Sequence, residues 1–466
     1  MCYRNYILIV SLLMFSSNGY SQIGWTEHLV DENFGEAIDL HIIDMDNDGD
    51  LDILGGGLRI GTIAWWENGG WWNFTRHNVG GMFAASGVYA ADIDNDGDYD
   101  IAGSSFRGDE ISWFENDGNM NFTKHIIEQL INGARDVFSV DLDLDGDSDI
   151  LTAAFFDYKF IWWENDGSQP ITFYRHDIAS NFAAPNAVYS TDIDHDGDMD
   201  VLGAGSYADT IAWWENDGSQ NFTIHVVDGN FTGAYDVLAF DLDSDGDEDI
   251  LGAASERDEI AWWENDGNQN FLKYVIFGSY YVATSVSCSD IDMDGDTDIL
   301  AASVGGNAIA WGENDGNQNF TRHYITQYFT GAQVARPGDL DGDGDVDIIG
   351  CSPALNDIRC WENDLITAVH DQNAADRTPC QYNILSLYPN PFNASTTIKY
   401  SLSYESEISL SIYNLLGQQV ETLFEGVQES GEHTLTWDAA HLPSGIYFAR
   451  LETADRTENI KMVLLK

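Results

Sequence analysis

The sequence predicts an all-β protein: a seven-bladed β-propeller closed by its own N-terminal strand, followed by a small C-terminal β-sandwich of immunoglobulin-like form. Three observations carry that prediction. An acid-dense nonapeptide recurs seven times at intervals of 48 to 51 residues. Each recurrence is accompanied by segments that read as four short strands, the number in a propeller blade. One strand type begins a unit early, before the first nonapeptide, and is missing after the last.

The nonapeptide reads D-x-D-x-D-G-D-x-D and then turns apolar. Its copies place aspartates at Asp44, Asp46, Asp48, Asp50 and Asp52; at Asp92, Asp94, Asp96, Asp98 and Asp100; at Asp141, Asp143, Asp145, Asp147 and Asp149; and at Asp192, Asp194, Asp196, Asp198 and Asp200. The last three copies hold Asp241, Asp243, Asp245, Asp247 and Asp249; Asp290, Asp292, Asp294, Asp296 and Asp298; and Asp339, Asp341, Asp343, Asp345 and Asp347. Carboxylates about 5 Å apart repel by roughly 3 kcal/mol per pair at an effective dielectric near 20. A hard, oxygen-seeking cation relieves that repulsion. The spacing matches the first half of an EF-hand loop, in which side chains one, three and five, the seventh carbonyl and a sixth-position glycine wrap Ca²⁺. The second half departs, because the twelfth position is Gly55 or Gly103 where an EF-hand has a bidentate Glu. Here the ninth Asp closes the shell and leads straight into β segments such as Ile53-Leu54. We therefore expect strand-loop-strand sites for up to seven structural Ca²⁺ ions. Plain Asp-rich turns are the alternative, but turn chemistry does not require five acids in every copy.

Around each loop the same parts recur in order. An apolar alternating segment precedes it, as in Gly87-Val88-Tyr89-Ala90-Ala91. A strand typified by Ile211-Ala212-Trp213-Trp214-Glu215-Asn216 follows, then the turn Asp217-Gly218, then Asn221-Phe222-Thr223-Ile224-His225. The Trp-Glu-Asn strand ends seven times, at Asn68, Asn116, Asn165, Asn216, Asn265, Asn314 and Asn363. The Phe-Thr-x-His strand also occurs seven times, but its first copy is Trp25-Thr26-Glu27-His28 and nothing like it follows Asn363. The N-terminal strand is thus expected to be the outer strand of the last blade, which removes an open sheet edge. Strand direction places the aspartate loops and the Glu-Asn-Asp-Gly turns on one rim. The loops on the other rim differ between copies, as in Ser105-Phe106-Arg107-Gly108-Asp109 and Phe155-Phe156-Asp157-Tyr158-Lys159, and recognition is expected where repeats diverge.

The formal charge of −60 argues against nucleic acid or an anionic membrane as partner. The seven loops contribute 35 of the 79 acidic residues, so bound Ca²⁺ would offset much of it. Residues 1–21 carry Arg4, an apolar run from Tyr6 to Phe15 and a small-residue exit at Ser16-Ser17-Asn18-Gly19-Tyr20-Ser21, the form of a secretory signal peptide. The run is too short to span a bilayer, and no other stretch reads as a transmembrane span. Four cysteines remain, too few for a disulfide scaffold. Cys351 and Cys360 fall on adjacent strands of one hairpin, where an oxidised pair and two core thiols are both open.

The expected organisation is signal peptide 1–21, propeller 22–364, a polar linker 365–384 and a C-terminal sandwich 385–466. In the last segment alternating strands such as Thr396-Thr397-Ile398-Lys399-Tyr400 and Gly445-Ile446-Tyr447-Phe448-Ala449 replace the repeat.

On these residues the chain resembles two families. Residues 23 to 364 are similar to FG-GAP/VCBS-type propeller repeats, such as those in the ligand-binding head of integrin α chains and in some lectins and lyases. The resemblance implies metal ligation by Asp44, Asp46, Asp48, the carbonyl of Asp50 and Asp52, and likewise in the other copies. Departures are Gly312 and Cys360 where other blades have Trp, and a blurred Phe-Gly/Gly-Ala-Pro signature such as Phe231-Thr232-Gly233-Ala234. The C-terminal segment resembles the type A sorting domain of the bacterial type IX secretion system through Tyr388-Pro389-Asn390-Pro391-Phe392-Asn393, Tyr413-Asn414-Leu415-Leu416-Gly417-Gln418 and Ser444-Gly445-Ile446-Tyr447. That implies export across the outer membrane and recognition by the type IX machinery. An immunoglobulin-like adhesion module that stays attached is the alternative.

Other chemistry is weaker. Outer strands carry His28, His77, His125, His176, His225 and His323, with Tyr274 in the seventh place, but outer strands of different blades are too far apart to share an ion. The paired tryptophans, such as Trp65-Trp66, must point to opposite faces of a sheet and are expected to fill two inter-blade seams, with sugar stacking open for a few. Arg107-Gly108-Asp109 and the recurrent Asn-Phe-Thr match short motifs by composition and hairpin periodicity. No phosphate loop, nucleophile elbow or catalytic residue stands out. The expected function is a secreted or surface-attached monomer acting as a binding or adhesion module for glycans or proteins. The rival is a polysaccharide lyase or hydrolase on the same scaffold, for which the out-of-pattern Arg257, Arg336, Tyr158 and Tyr207 would have to converge at the mouth of the ring.

Overall fold

The computed structural model describes residues 23–168 and 170–365, and in the C-terminal part 386–388, 395–402, 406–414, 419–428, 431–439, 441–442, 445–452 and 457–464. The expected signal peptide and residues 366–384 of the expected linker lie outside the described residues. The chain divides into two compact units after Ala368. The described residues contain no α-helix, and so no helix long and apolar enough to cross a membrane.

The first unit is a seven-bladed β-propeller of four-stranded antiparallel sheets. In the first blade the strands are Ala37–Ile43, Asp52–Gly57, Thr62–Asn68 and Phe74–Gly81. The innermost strands touch in succession around the ring, and the seventh, Val334–Gly338, returns to the first, Ala37–Ile43. Every second strand is buried along its whole length. That explains its continuous apolar, small-residue composition, since a strand covered on both faces has no solvent side to alternate with. The small residues are required where side chains of the same and the neighbouring blade press on these strands. A Cβ at Gly55 would meet the Trp66 ring at 3.0 Å, and one at Gly103 would meet Ile63 at 2.7 Å.

The tryptophan pairs divide between seams as expected. Trp65 packs with Val88 and Phe114 of the second blade, while Trp66 packs with Phe34 and with Ile349 of the seventh. Each buries on the order of 200 Å², an upper estimate of roughly 5 kcal/mol in transfer free energy. His77, His125, His176, His225 and His323 each stack on a tryptophan of the adjacent third strand and hydrogen-bond the neighbouring glutamate. Trp65 and His77 have ring centroids 4.7 Å apart, and His77 Nε2 is 2.7 Å from Glu67 Oε2. Tyr274 stacks on Trp262 in the same way at 4.9 Å. Where Gly312 replaces tryptophan, the Phe277 ring stands within 3.1 Å of the position a Cβ would take. The outer strands run beyond their histidines, to Asp228 in the case of Phe222–Asp228, through a register shift opposite Ile211 and Ala212.

The ring closes as the strand count requires. Trp25–Asp31 pairs antiparallel with Asp357–Asn363, placing Trp25 opposite Asn363, Glu27 opposite Trp361 and His28 opposite Cys360. Cys351 and Cys360 are free thiols, each opposite an isoleucine, which settles the open question of an oxidised pair in favour of two core thiols. Burial pushes both thiols well up from the ordinary thiol range.

The second unit is built from a three-stranded sheet, Ser386–Tyr388, Ser395–Leu402 and Gly431–Asp438, and a four-stranded sheet, Gln419–Gln428, Ser406–Asn414, Gly445–Glu452 and Thr457–Leu464. Ile398, Tyr400, Ile412, Trp437 and Met462 form its core, as expected of a two-sheet sandwich.

Candidate metal centres and the axial mouth

Each aspartate loop joins an inner strand to the buried second strand, and its backbone is folded around its own carboxylates. In the second copy the sixth-position amide of Gly97 donates to Asp92 Oδ2 at 3.1 Å, the fifth-position amide of Asp96 to Asp92 Oδ1 at 3.1 Å, and the seventh-position amide of Asp98 to Asp96 Oδ1 at 3.0 Å. The sixth residue has φ between 98° and 102° in all seven copies, a conformation open to glycine. The fourth residue is left-handed too, with φ near 60° even at Leu144 and Met293. Such a residue costs about 1–2 kcal/mol, so the loop geometry is imposed on the chain.

The ninth aspartate does more than lead into a strand. Its carboxylate accepts two backbone amides in every copy: Asp200 Oδ1 from Asn216 at 2.8 Å and Oδ2 from Ile193 at 3.0 Å, and Asp52 from Asn68 at 2.7 Å and Met45 at 3.0 Å. It is buried in all seven blades. Burial pushes these carboxyls up, to about 7 for Asp52, Asp100, Asp149, Asp200 and Asp249 and to about 8 for Asp298 and Asp347. The Asn that ends the third strand ties the loops together. Asn68 Nδ2 donates to Leu340 O at 2.7 Å and Asn165 Nδ2 to Ile93 O at 2.9 Å, each in the loop of the preceding blade.

Carboxylate oxygens converge within 4.8 Å of one another at Asp44, Asp46 and Asp48; at Asp92, Asp94 and Asp96; at Asp141, Asp143 and Asp149; at Asp192, Asp194 and Asp200; and at Asp241, Asp243 and Asp249, with two further such groups. Positions one, three, five and nine therefore supply the clusters. The seventh carboxylate points elsewhere, into the space left by the glycine of the Asp-Gly turn: a Cβ at Gly118 or Gly218 would meet Asp98 or Asp198 Oδ2 at 2.5 Å. Asp44 Oδ1 and Asp143 Oδ1 are buried with no hydrogen-bond partner, the state of an acceptor waiting for a cation. Burial first, and then the next carboxylate in the loop, raises the third-position acids, to about 6 at Asp292 and Asp341. An all-oxygen set of this kind fits a hard cation.

The opposite rim is built differently. Asp109, Asp209 and Asp258 accept amides of Gly133, Gly233 and Val282 in the next blade at 2.8–3.0 Å. The aspartate of Arg107-Gly108-Asp109 is thus a clamp between blades. Inside the ring, Asp39, Asp136 and Asp236 stand on the first, third and fifth inner strands. Each accepts one amide of its own strand and one of the next blade: Val88 at 3.0 Å, Val188 at 2.9 Å and Val286 at 3.0 Å. Arg336 of the seventh blade donates to Ser285 Oγ at 2.9 Å and lies 3.8 Å from Asp39. Burial raises all three carboxyls, and Arg336 moderates the effect at Asp39 and Asp236. Asp136 is pushed to about 8 by burial and by the charge of Asp39.

Of the four out-of-pattern residues, Arg336 reaches the axis. Arg257 is held by Glu259 of its own hairpin at 2.9 Å and by Asn230 O of the preceding blade connection at 3.0 Å, and Tyr158 and Tyr207 are exposed on the rim. The four do not converge. The axial residues that do, Asp39, Asp136, Asp236, Arg135, Tyr235 and Gln333, escaped the sequence reading. The signal for the three aspartates was the third residue of the inner strand, Asp in alternate units and Gly87, Ala187 or Ser285 between them.

The FG-GAP-like repeat profile matches residues 44–103, 141–203, 192–252, 241–301 and 290–350. The profile described as secretion system C-terminal sorting domain matches residues 386–465. No curated protein matches the sequence. Among solved structures, the chain is similar to PorZ, described as an essential bacterial surface component of the type-IX secretion system of Porphyromonas gingivalis, with 13% identity and a TM-score of 0.46, covering 94% of this chain and 60% of that one. A luciferin-regenerating enzyme matches at 11% identity and a TM-score of 0.41, covering 72% and 95%. A protein from Lactobacillus plantarum matches at 11% and 0.46, covering 83% and 99%. The chain spans 60% of the length of the PorZ chain it matches.

Proposed function

The chain belongs to the FG-GAP-like repeat family and ends in a secretion system C-terminal sorting domain, and from that premise we propose that it is a calcium-rigidified binding module for an extracellular glycan or protein. The sorting domain directs the protein through type IX secretion to the cell surface or beyond. There a site of modest affinity suffices, since extracellular Ca²⁺ modules bind with dissociation constants of about 10⁻⁴ to 10⁻³ M. In each loop the carboxylates at positions one, three, five and nine and the seventh carbonyl would hold one Ca²⁺, so Asp50, Asp98, Asp147, Asp198, Asp247, Asp296 and Asp345 contribute backbone oxygen. The cation supplies positive charge that lets four acids share one turn.

The observation that carries the binding reading is the division of labour between rims. One rim repeats the same acids in all seven copies, as a scaffold does. The other changes from blade to blade and exposes Tyr207, Phe156 and Tyr158, where exposed apolar surface commonly marks a partner. The test is a glycan and protein array probed with the calcium-loaded full chain, alongside a reducing-end release assay on the glycans retained. Retention without product supports a binding module. Product formation would replace it with a polysaccharide-active enzyme.

A further inference from the structure

Among the second-to-third-strand loops of the variable rim, aromatic side chains are confined to three adjacent blades. The second-to-third-strand loops begin Phe106-Arg107, Phe155-Phe156 and Ser206-Tyr207 in the second to fourth blades, against Ser255-Glu256, Val304-Gly305 and Pro353-Ala354 in the fifth to seventh. The rings form one connected ridge. Tyr207 meets Phe155 at 5.5 Å, Phe155 meets Phe156 at 4.9 Å, and Phe156 meets Phe106 at 5.3 Å between centroids. From Phe106 the ridge turns inward. The Arg135 guanidinium lies 5.4 Å from the Phe106 ring and 5.0 Å from the Tyr235 ring.

The inner end is polar and bridges alternate blades. The Tyr235 hydroxyl accepts from Arg135 of the third blade and from Gln333 Nε2 of the seventh at 3.1 Å. A phenol oxygen that accepts twice keeps its own O–H to donate. On the same strands stand Asp136 and Asp236, which each accept two backbone amides, Asp236 also taking a hydrogen bond from the Ser285 side chain, and which keep lone pairs for a further donor. Flat exposed rings leading to paired donors and acceptors match a sugar: the apolar C–H face stacks and the hydroxyls bond. A protein hot spot would instead present a desolvated pocket for an anchor residue. The charge of −60 sets the sign of the ligand, because it repels a polyanion.

Resting on the binding reading above, we infer that the axial mouth opposite the aspartate loops takes the end of a neutral saccharide chain, stacked along Phe156 and Tyr207 with its terminal hydroxyls at Tyr235. The ridge fixes the approach, and the bridge from Arg135 to Gln333 fixes the depth.

The test is calorimetry of the calcium-loaded full chain with neutral hexaoses (cello-, laminari-, xylo- and mannohexaose), comparing wild type with Tyr207→Ala, Phe156→Ala and Tyr328→Ala. Tyr207 and Phe156 are 67% and 55% exposed, and Tyr328, between the sixth and seventh blades, is 90% exposed, so none of the three substitutions removes a core side chain. The expected result is binding of at least one hexaose, weakened about tenfold or more by each of the first two changes and unaltered by Tyr328→Ala. A hexaose that binds all variants alike would overturn this site and leave the binding function standing. Capture of a protein partner lost in the same two variants, with no hexaose bound, would overturn the saccharide assignment. No binding of any kind would overturn both readings.

Discussion

The His28 ring lies on the Trp72 ring with centroids 4.3 Å apart and planes at 3°. His28 is hydrogen-bonded into the seventh blade, where its backbone faces Cys360 and its imidazole meets Glu362 at 2.7 Å, yet its stacking partner belongs to the turn of the first. In other blades the histidine finds a tryptophan on its own neighbouring strand; Cys360 denies it one, and Trp72 fills the place. The first strand therefore joins the last blade by hydrogen bonds and the first blade by ring contact.

Removing that join should open the ring. Trp72→Ala is expected to cost about 1–2 kcal/mol, a drop of about 1–3 °C in a unit of this size. Deleting residues 23–31 should be far worse, because it exposes the edge of Asp357–Asn363; loss of a cooperative melting transition, seen by calorimetry, is the expected outcome.

Chelation is expected to lower the melting temperature steeply. With Kd of about 10⁻⁴ to 10⁻³ M and about 10 mM Ca²⁺, linkage gives roughly 1.4–2.7 kcal/mol per occupied site, and seven sites act together. Differential scanning calorimetry in excess EDTA measures it, and a melt unchanged by EDTA would remove calcium from the account.

Within one loop, backbone and ion can be separated. Gly197 has φ 99° with nothing within 4 Å of an added Cβ, so Gly197→Ala should cost about 1–2 kcal/mol by conformation alone and reduce calorimetric Ca²⁺ stoichiometry by one. Leu144→Gly, at φ 60°, should stabilise the apo chain by up to about 1 kcal/mol.

The ninth and seventh acids should behave unlike each other. Asp200→Asn takes one acceptor from the amides of Asn216 and Ile193, and should destabilise the chain by about 1–3 kcal/mol even in EDTA. Asp198→Asn keeps the backbone carbonyl and should leave the EDTA melt within about 0.5 kcal/mol of wild type. Equal losses for the two would contradict the roles assigned here.

Asp136 should make stability fall with rising pH. Its folded carboxyl is raised to about 8 from an ordinary value of 3.8, so the folded state holds a proton that the unfolded chain releases. Stability from this group is full below about 4 and lost as pH rises through about 8. At saturating Ca²⁺, ¹³C-carboxyl NMR should show a resonance titrating near 8 that is missing in Asp136→Asn; a midpoint near 4 would refute the shift.

Much of this was legible in the sequence because the repeat states it seven times. The aspartate spacing and the Trp-Glu-Asn strands set the blade number, and the displaced Trp25–His28 segment sets the closure. The double role of Asp200 and its equivalents was hidden, because one carboxylate pattern serves both ion and backbone. The axial residues were hidden for a different reason: Arg135, Tyr235 and Gln333 are separated by about a hundred residues and meet across the ring. Their partnership follows from curvature, which no local pattern encodes.

The inner aspartates reach from the first blade to the second, the third to the fourth and the fifth to the sixth. Seven is odd, so the seventh blade carries no such aspartate, and Arg336 stands there instead, bonded to Ser285 of the sixth blade and 3.8 Å from Asp39 of the first. The repeats thus build a dial with a single notch, set in the same blade that the N-terminal strand completes. The centre of the ring therefore has a bearing: a turn by one blade does not bring it back onto itself.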